Sequence, residues 1–507
     1  MEKRLKPISK LFCLFFLMVC GCKQTDWMKT YGHSNKKKEV GTLMISVRPQ
    51  STVELREGGV ADPMKTIKRL SFFFFSGTGS EDKLLYSEHI SGEDFSTPIT
   101  LRLPVDNYSL VVVANAPHFI IEKCSSPGTL WSRFADAQVI SGGRKNWCIL
   151  SKEGENQTEA IMMSNDQGPI KIEKGQFEQG NLSQINVPLA SCLSRILVYG
   201  QPQIPASFTL VPERRGFYCI SGRSKGLYIM RQMAPLTLPE MVMETANDHS
   251  NPVDRYAYSP GYQEVEQSQK KNFISLAEKH RYYLSGALTS VSNLISLPES
   301  KSQANLRSVY VYDQETTIDV EHQKYSLFIP RLIVAFRLFP SILSQGDPAF
   351  DPQQGWASFE GYYTTGAELL RYLKALKAGD VNPLLPKGFP ESFAAVARKH
   401  LLAAPIWREN GQELKAFSIG GVSFYEQCYN YYIVPMRHKL SGRSSEYATY
   451  GLVRNFSYNI EVKRIDHLGL ASVPDFSKDV SEYKEPAGIS FGVSIVNPTE
   501  VDQEVSF

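Results

Sequence analysis

Four consecutive phenylalanines, Phe72–Phe75, constrain this chain more than any other feature. They lie in "TIKRLSFFFFSGTG" (Thr66–Gly79), which reads as a strand ending in a glycine turn. A strand with one solvated face alternates apolar and polar side chains. An unbroken apolar run needs cover on both faces, as in a strand buried between layers or a sandwich strand lying under a cap. The same type of pattern recurs along the chain. Ile99–Leu103 and Tyr108–Ala114 are joined by a Pro/Asp/Asn turn, Glu159–Ile172 holds two short strands, and Lys324–Pro340 is strongly strand-like. The end is again β, with "CYNYYIVPMRHK", "YGLVRNFSYNIEVKRID" and "GISFGVSIV". The fold class is therefore mainly β.

The 507 residues suffice for two or three domains. The polar, Gly/Gln-rich stretch Glu173–Gln184 places the domain change near Gly180, giving an N-terminal domain 41–178 and a C-terminal domain 179–507, with Ile185–Gly200 starting a second β region. Two helices interrupt the second domain. Thr365 and Glu368 form a capping box ahead of "GAELLRYLKALKAG", which Gly379 ends, and "ESFAAVARKHLLAAP" (Glu391–Pro405) is the second. Glu244–Asn272 reads as a long surface insertion.

Residues 1–21 have the form of a signal peptide. Lys3, Arg4, Lys6 and Lys10 precede the apolar run Leu11–Val19, which is too short to span a bilayer. "VCGC" (Val19–Cys22) then matches the bacterial lipobox, so cleavage is expected between Gly21 and Cys22, with lipid on Cys22. Multiple acyl chains would anchor the protein to a membrane. Residues 22–40 are polar and read as a tether.

Other chemistry is sparse. The net charge is +3, with no basic patch of interleaved aromatics, which argues against nucleic acid as a partner. There is no HExxH, no GxSxG and no phosphate loop, and the nine histidines are scattered. His400 has no acidic or cysteine partner in register and reads as a packed or rim histidine. Cys124, Cys148, Cys192, Cys219 and Cys428 show no metal spacing, and buried thiols are the simpler reading than disulfides. Trp131, Trp147, Trp356 and Trp407 are core residues or a glycan platform. No catalytic residue, cofactor or metal is expected.

"GTLMISVRPQSTVELREGG" (Gly41–Gly59) joins a good strand to an accessible arginine. Leu43, Ile45 and Val47 alternate with polar or flexible neighbours, as in a strand with one buried face. Arg56 stands before Glu57-Gly58-Gly59, a turn-prone site open to proteolysis. Arg48 is followed by Pro49 and lies within the strand, while Lys65, Lys68 and Arg69 adjoin the next one.

In order along the chain, these features resemble the Bacteroidia-type fimbrial subunits, also called fimbrillins or type V pilins. The lipobox comes first. Next come "IKRLSFFFFSG" and "NYSLVVVANAP" with Asn115 after the strand, then the methionine-rich "EAIMMSND". "VPLASCLSRILVYG" resembles the Leu-x-Arg strand that opens the C-terminal domain, at Leu193, Arg195 and Val198. The most specific stretch is "YYIVPMRHK" followed by "YGLVRNFSYNIEVKRIDHLGLASVP", with Arg437, His438, Tyr450, Gly451, Arg454, Asn455, Tyr458 and Gly469. Arg454 and Asn455 read as residues that tie down a turn.

The resemblance implies two transthyretin-like Greek-key β-sandwiches, the second with helical and loop insertions. It implies a structural, non-enzymatic subunit of a fimbrium used for adhesion and biofilm formation. It further implies export as an outer-membrane lipoprotein, removal of residues up to 56 by an Arg-specific surface protease cutting between Arg56 and Glu57, and polymerisation with other fimbrial subunits by strand exchange. The removable strand would be the one carrying Leu43, Ile45 and Val47. The donor would be the C-terminal segment 488–507, where Val501, Gln503, Val505 and Phe507 share a face. That segment lacks the tryptophan expected near the terminal strand of many shaft subunits, and the large second domain would suit a tip or accessory subunit. A monomeric surface lipoprotein that binds glycan or host protein is the alternative. No receptor is named by these residues.

Overall fold

The computed structural model describes residues 39–49, 62–230, 281–282, 294–306, 309–312, 329–346, 350–438, 451–474, 489–496 and 503–506, apart from 93, 136, 141–147, 152–157, 166–167, 178–183 and 212–215. Cys22, Gly21, Arg56, Glu57, Val501 and Phe507 lie outside the described residues, as do Trp147 and the stretch Glu244–Asn272.

The first unit opens with β1 (Val40–Pro49), β2 (Arg69–Phe75), β3 (Leu84–Ser91), β4 (Ile99–Pro104) and β5 (Tyr108–Ala114). Two short helices, His118–Cys124 and Trp131–Ala135, follow, then β6 (Gln138–Ile140), β7 (Ile149–Ser151) and β8 (Thr158–Ile161). β9 (Met163–Asn165), β10 (Ile170–Ile172) and β11 (Gln184–Ser191) complete it. Eight of these strands make one sheet in the order β3-β2-β5-β9-β11-β1-β4, with β10 also on β5. The two halves of this sheet share a core. Leu70, Phe72, Phe74, Leu110 and Val112 on one side meet Leu101, Leu103, Ile185, Val187 and Leu189 on the other.

The phenylalanine run is explained by a second core on the outer face of β2. Phe72 and Phe74 point into the sandwich, while Phe73 and Phe75 point outward among Ile120, Cys124 and Phe134 of the two helices. Phe134 lies 5.0 Å from both Phe73 and Phe75, and Trp131 meets Phe75 edge-on. All four phenylalanines are fully buried. This is the capped sandwich strand, one of the two arrangements the sequence allowed.

The second unit runs through β12 (Leu193–Tyr199), β13 (Phe208–Leu210), β14 (Phe217–Ser221), β15 (Arg223–Ser224), β16 (Gly226–Tyr228), β17 (Arg281–Tyr282), β18 (Ile295–Ser296), β19 (Val309–Tyr312) and β20 (Arg331–Pro340). After these come β21 (Trp356–Phe359), β22 (Tyr362–Thr365), β23 (Phe417–Ile419), β24 (Val422–Tyr425), β25 (Tyr429–Pro435), β26 (Ser457–Ile465), β27 (Ile489–Val496) and β28 (Gln503–Ser506). One sheet is β19-β12-β26-β27-β28, and β20 carries β13 and β14 on one edge and β25 on the other. Ile196, Val198, Tyr458, Ile460 and Val462 of the first face Ile220, Leu332, Val334, Phe336 and Tyr432 of the second across a common core. The protein is thus mainly β, with two sandwiches.

Two boundaries differ from the sequence reading. β11 belongs to the first sheet, paired with β1 and β9, so the sheets change at Cys192, between β11 and β12, and not in the polar stretch Glu173–Gln184. Composition marked a surface loop there, whereas strand pairing is decided by partners far away in sequence. In the segment 488–507, Ile489–Val496 is a strand of the second sandwich, paired along its length with β26, and Phe491 sits in that core. After it, Gln503 and Val505 lie in β28, the edge strand of the same sheet, paired with β27.

Between β20 and β25 the chain leaves the sandwich and builds a separate layer. β22-β21-β24-β23 form an antiparallel sheet under the helix Gly366–Lys377 and the helix that runs from Ser392 through a π turn to Leu401. Their apolar faces share a core of Leu369, Leu373, Phe389, Phe393, Leu401 and Phe424. Trp356 anchors the layer: its indole donates to Leu338 O at 2.9 Å and stacks on Tyr425 at 4.0 Å. The first helix has the predicted N-cap, Thr365 Oγ1 accepting from Glu368 N, and Gly379 adopts φ +91° past the end, but of the capping box only this half is seen: Glu368 Oε2 accepts from Arg371 Nη2 and Lys387 N instead. Thr365→Ala is expected to lower the stability of this layer by about 1 kcal/mol. The check is an earlier thermal change in the fluorescence of Trp356 and Trp407.

Candidate functional site

β1 is an inner strand built from the very start of the described chain. Val40–Ile45 pair antiparallel with Pro104–Ile99 of β4, and Met44–Pro49 pair parallel with Gln184–Leu189 of β11. The alternation of its side chains decides which face is dry. Leu43 and Ile45 are 0% exposed and Val47 5%, in the sandwich core, while Arg48 is exposed. Gly41 lets the strand pass under Phe177, because a Cβ there would come within 2.7 Å of the Phe177 side chain. Without β1, the facing edges of β4 and β11 would carry unpaired N–H and C=O groups on either side of an apolar slot.

What holds β1 is as informative as where it sits. The second sandwich has a strand in the same relation. β12 pairs parallel with β26 and antiparallel with β19. That strand is tied in by buried polar side chains. Ser194 Oγ donates to Val453 O at 2.7 Å, and Arg195 Nε donates to Ser457 Oγ at 2.8 Å. Among the described residues, no side-chain hydrogen bond ties β1. It is held by its backbone ladder and by Leu43, Ile45 and Val47, groups that any strand of like pattern could supply.

The chain downstream of β1 is anchored independently. Asp62 is buried, and its Oδ1 accepts from Met64 N at 3.0 Å. Its Oδ2 meets Arg195 Nη1 at 3.4 Å, with both side chains almost wholly buried. Pro63 O accepts from Ile161 N. A chain cut between Arg56 and Glu57 would reach this fixed point five residues on. Sequence reasoning singled out Arg195 and missed Asp62, since nothing in "GVADPM" signals a partner 133 positions away.

The asparagines of the sequence motifs are structural ties. Asn115 has φ +57°, its Oδ1 accepts from Lys68 N, and its Nδ2 donates to Thr66 O and Ile161 O. Asn455 has φ +69°, and its Oδ1 accepts from Ser191 N, joining the entry to β26 to the β11–β12 corner. Tyr458 Oη accepts from Val453 N and lies 2.9 Å from His438 Nδ1.

The remaining candidates are dispersed. Cys124, Cys148, Cys192, Cys219 and Cys428 are buried thiols, and burial pushes Cys219 and Cys428 up to about 12. Those two stay protonated at neutral pH. Trp131, Trp356 and Trp407 sit in three separate clusters and make no common platform. His400 is exposed beside Gly420, at the rim of the inserted layer. No described helix is long and apolar enough to cross a membrane.

Comparison with known proteins gives one family match. Residues 423–504 match the family described as "Major fimbrial subunit protein type IV, Fimbrillin, C-terminal". This interval holds β25 to β27 and the Arg437–Gly469 motifs. Among curated proteins, none matches the chain. Similar solved structures include a fimbrilin (FimA) from Porphyromonas gingivalis W83, 11% identical, with a TM-score of 0.40 and covering 86% of this chain and 92% of that one. The tip fimbrial protein Mfa3 from Porphyromonas gingivalis is 11% identical, TM-score 0.36, covering 90% and 100%. A fimbrial assembly protein from Parabacteroides distasonis is 8% identical, TM-score 0.32, covering 92% and 100%.

Proposed function

We propose that this chain, which belongs to the fimbrial subunit family through its fimbrillin C-terminal region, is a cell-surface fimbrial subunit assembled by replacement of β1. In this reading it is exported with residues 1–21 as signal, lipidated on Cys22 and tethered to the outer membrane through 22–40. An Arg-specific protease cuts between Arg56 and Glu57. Loss of β1 opens the slot between β4 and β11, and the terminal segment of another subunit, carrying Val501, Gln503, Val505 and Phe507, fills it. The observation that supports this most is the way β1 is held: central in its sheet and buried, yet without a side-chain hydrogen bond among the described residues. The donor is narrowed to the residues after Val496, because Ile489–Val496 is an inner strand between β26 and β28, whereas β28 is an edge strand paired, among the described residues, only with β27. The layer inserted between β20 and β25 favours a tip or accessory position over a plain shaft subunit, since it adds a unit that neither sandwich core requires.

The test is the N-terminal residue of surface-assembled protein. Wild type is expected to begin at Glu57, and Arg56→Ala to remain uncut, lipid-bound and monomeric. Assembled subunits that still carried Thr42–Val47 would refute the exchange.

A further inference from the structure

The inserted layer carries a feature that the fimbrial reading does not use. Val381 and Leu384 are 77% and 78% exposed, the two most exposed large apolar side chains among the described residues. They stand on one loop, Asp380–Lys387, and the loop is fixed. Arg371 Nη2 donates to Leu384 O at 3.1 Å and Leu385 O at 3.4 Å, and Arg398 Nη2 donates to Val381 O. Asn382 N donates to Asp380 Oδ1 at 3.0 Å, and Pro383 and Pro386 are buried beneath. The apolar tips are therefore presented rigidly, where a loop free to fold would have turned them in. Just past the end of the helix that carries Arg398, Leu402 is 43% exposed.

The surround is basic. From 368 to 402 the chain has six Lys and Arg (Arg371, Lys374, Lys377, Lys387, Arg398 and Lys399) against three acids: Asp380, Glu391 and Glu368, whose carboxylate pairs with Arg371 at 2.8 Å and accepts from Lys387 N. That is an excess of three positive charges, as large as the net +3 of the whole chain. All six cationic residues are exposed, and Lys377 lies over the half-buried ring of Trp407 at 4.6 Å. Exposed aliphatic tips on a loop whose carbonyls are held by Arg371 and Arg398, in a segment rich in exposed Lys and Arg, match the boundary between headgroups and acyl chains of an anionic bilayer. A folded protein partner fits less well. Such an interface needs roughly 800 Å² on each side and aromatic or Arg anchors seated in pockets, whereas this is a projecting loop.

We propose that the Asp380–Lys387 loop and its basic surround dock the inserted layer onto an anionic lipid surface, with Val381 and Leu384 entering the acyl boundary. The proposal goes beyond the fimbrial reading and does not depend on it. The test uses the chain without its first 22 residues, so that neither the Leu11–Val19 run nor lipid on Cys22 contributes. It is sedimented with vesicles of phosphatidylcholine, or of phosphatidylcholine and phosphatidylglycerol in equal parts. Binding to the mixed vesicles is expected to be at least about ten-fold tighter, as electrostatic attraction of several basic residues requires. Val381→Asp with Leu384→Asp, and separately Lys374→Glu with Lys399→Glu, are each expected to weaken it about ten-fold or more with the thermal midpoint unchanged. Leu384→Ser is the milder control, expected to fall between wild type and the double aspartate variant. Equal binding to both vesicles, or binding unchanged in the aspartate variant, would overturn the proposal. So would competition by soluble heparin combined with indifference to the Val381 and Leu384 changes, which would assign the basic residues to an acidic glycan.

Discussion

A chain that begins at Glu57 is expected to be unable to persist as a folded monomer. Burial of Leu43, Ile45 and Val47 is worth roughly 1.5–3 kcal/mol each, so β1 contributes about 5–9 kcal/mol from its side chains alone. A typical domain has a total stability of about 5–15 kcal/mol. Loss of the strand therefore removes most or all of the stability of the first sandwich. The expected result is an early unfolding transition, with the amides of β4 and β11 exchanging fast. A synthetic peptide of residues 40–49 added in trans is expected to restore both. A truncated monomer as stable as the full chain would show that β1 is ornamental to the sandwich.

Asp62→Ala is expected to be nearly as damaging by a different route. The substitution leaves the Arg195 guanidinium buried without its carboxylate, and breaking a buried pair in this way costs about 3–5 kcal/mol. Replacing both partners together, Asp62→Leu with Arg195→Met, is expected to recover much of the loss, because no orphaned charge remains. Denaturant midpoints of the two single variants and the double variant would separate these outcomes. A harmless Asp62→Ala would mean that Ser457 alone satisfies Arg195. The same variant would bear on the proposed cut after Arg56, since Asp62 is the first described residue beyond it.

The parts of this fold that were legible in the sequence are those with local causes. Phe72–Phe75 required cover on both faces, and the helices holding Ile120 and Phe134 supply it. Thr365, Glu368 and Gly379 marked both ends of a helix within a span of fifteen residues. What was not legible depends on distant partners. Polar composition at Glu173–Gln184 looked like a boundary, yet β11 is drawn into the first sheet by β1, more than 130 positions earlier. The alternation in Ile489–Val496 fitted a donor strand and a core strand equally well, and only its pairing with β26 distinguishes them. The pairing of Asp62 with Arg195 had no local signal at all. The slot itself was half legible: period two identified Leu43, Ile45 and Val47, but the two-sided pairing of β1 needed the structure.

The junction at Cys192 has a mechanical consequence. β11 runs into β12 with one residue between them, and each is an inner strand of its own sheet. Tension along the molecule therefore passes from one sandwich to the other through a nearly continuous, doubly flanked strand, with little slack to take up. A strand lodged in place of β1 would lie lengthwise against β4 and β11. Pulling along its axis would load the ladder bonds on both sides together, in shear, instead of peeling them one after another. A joint made in this way would yield late and abruptly.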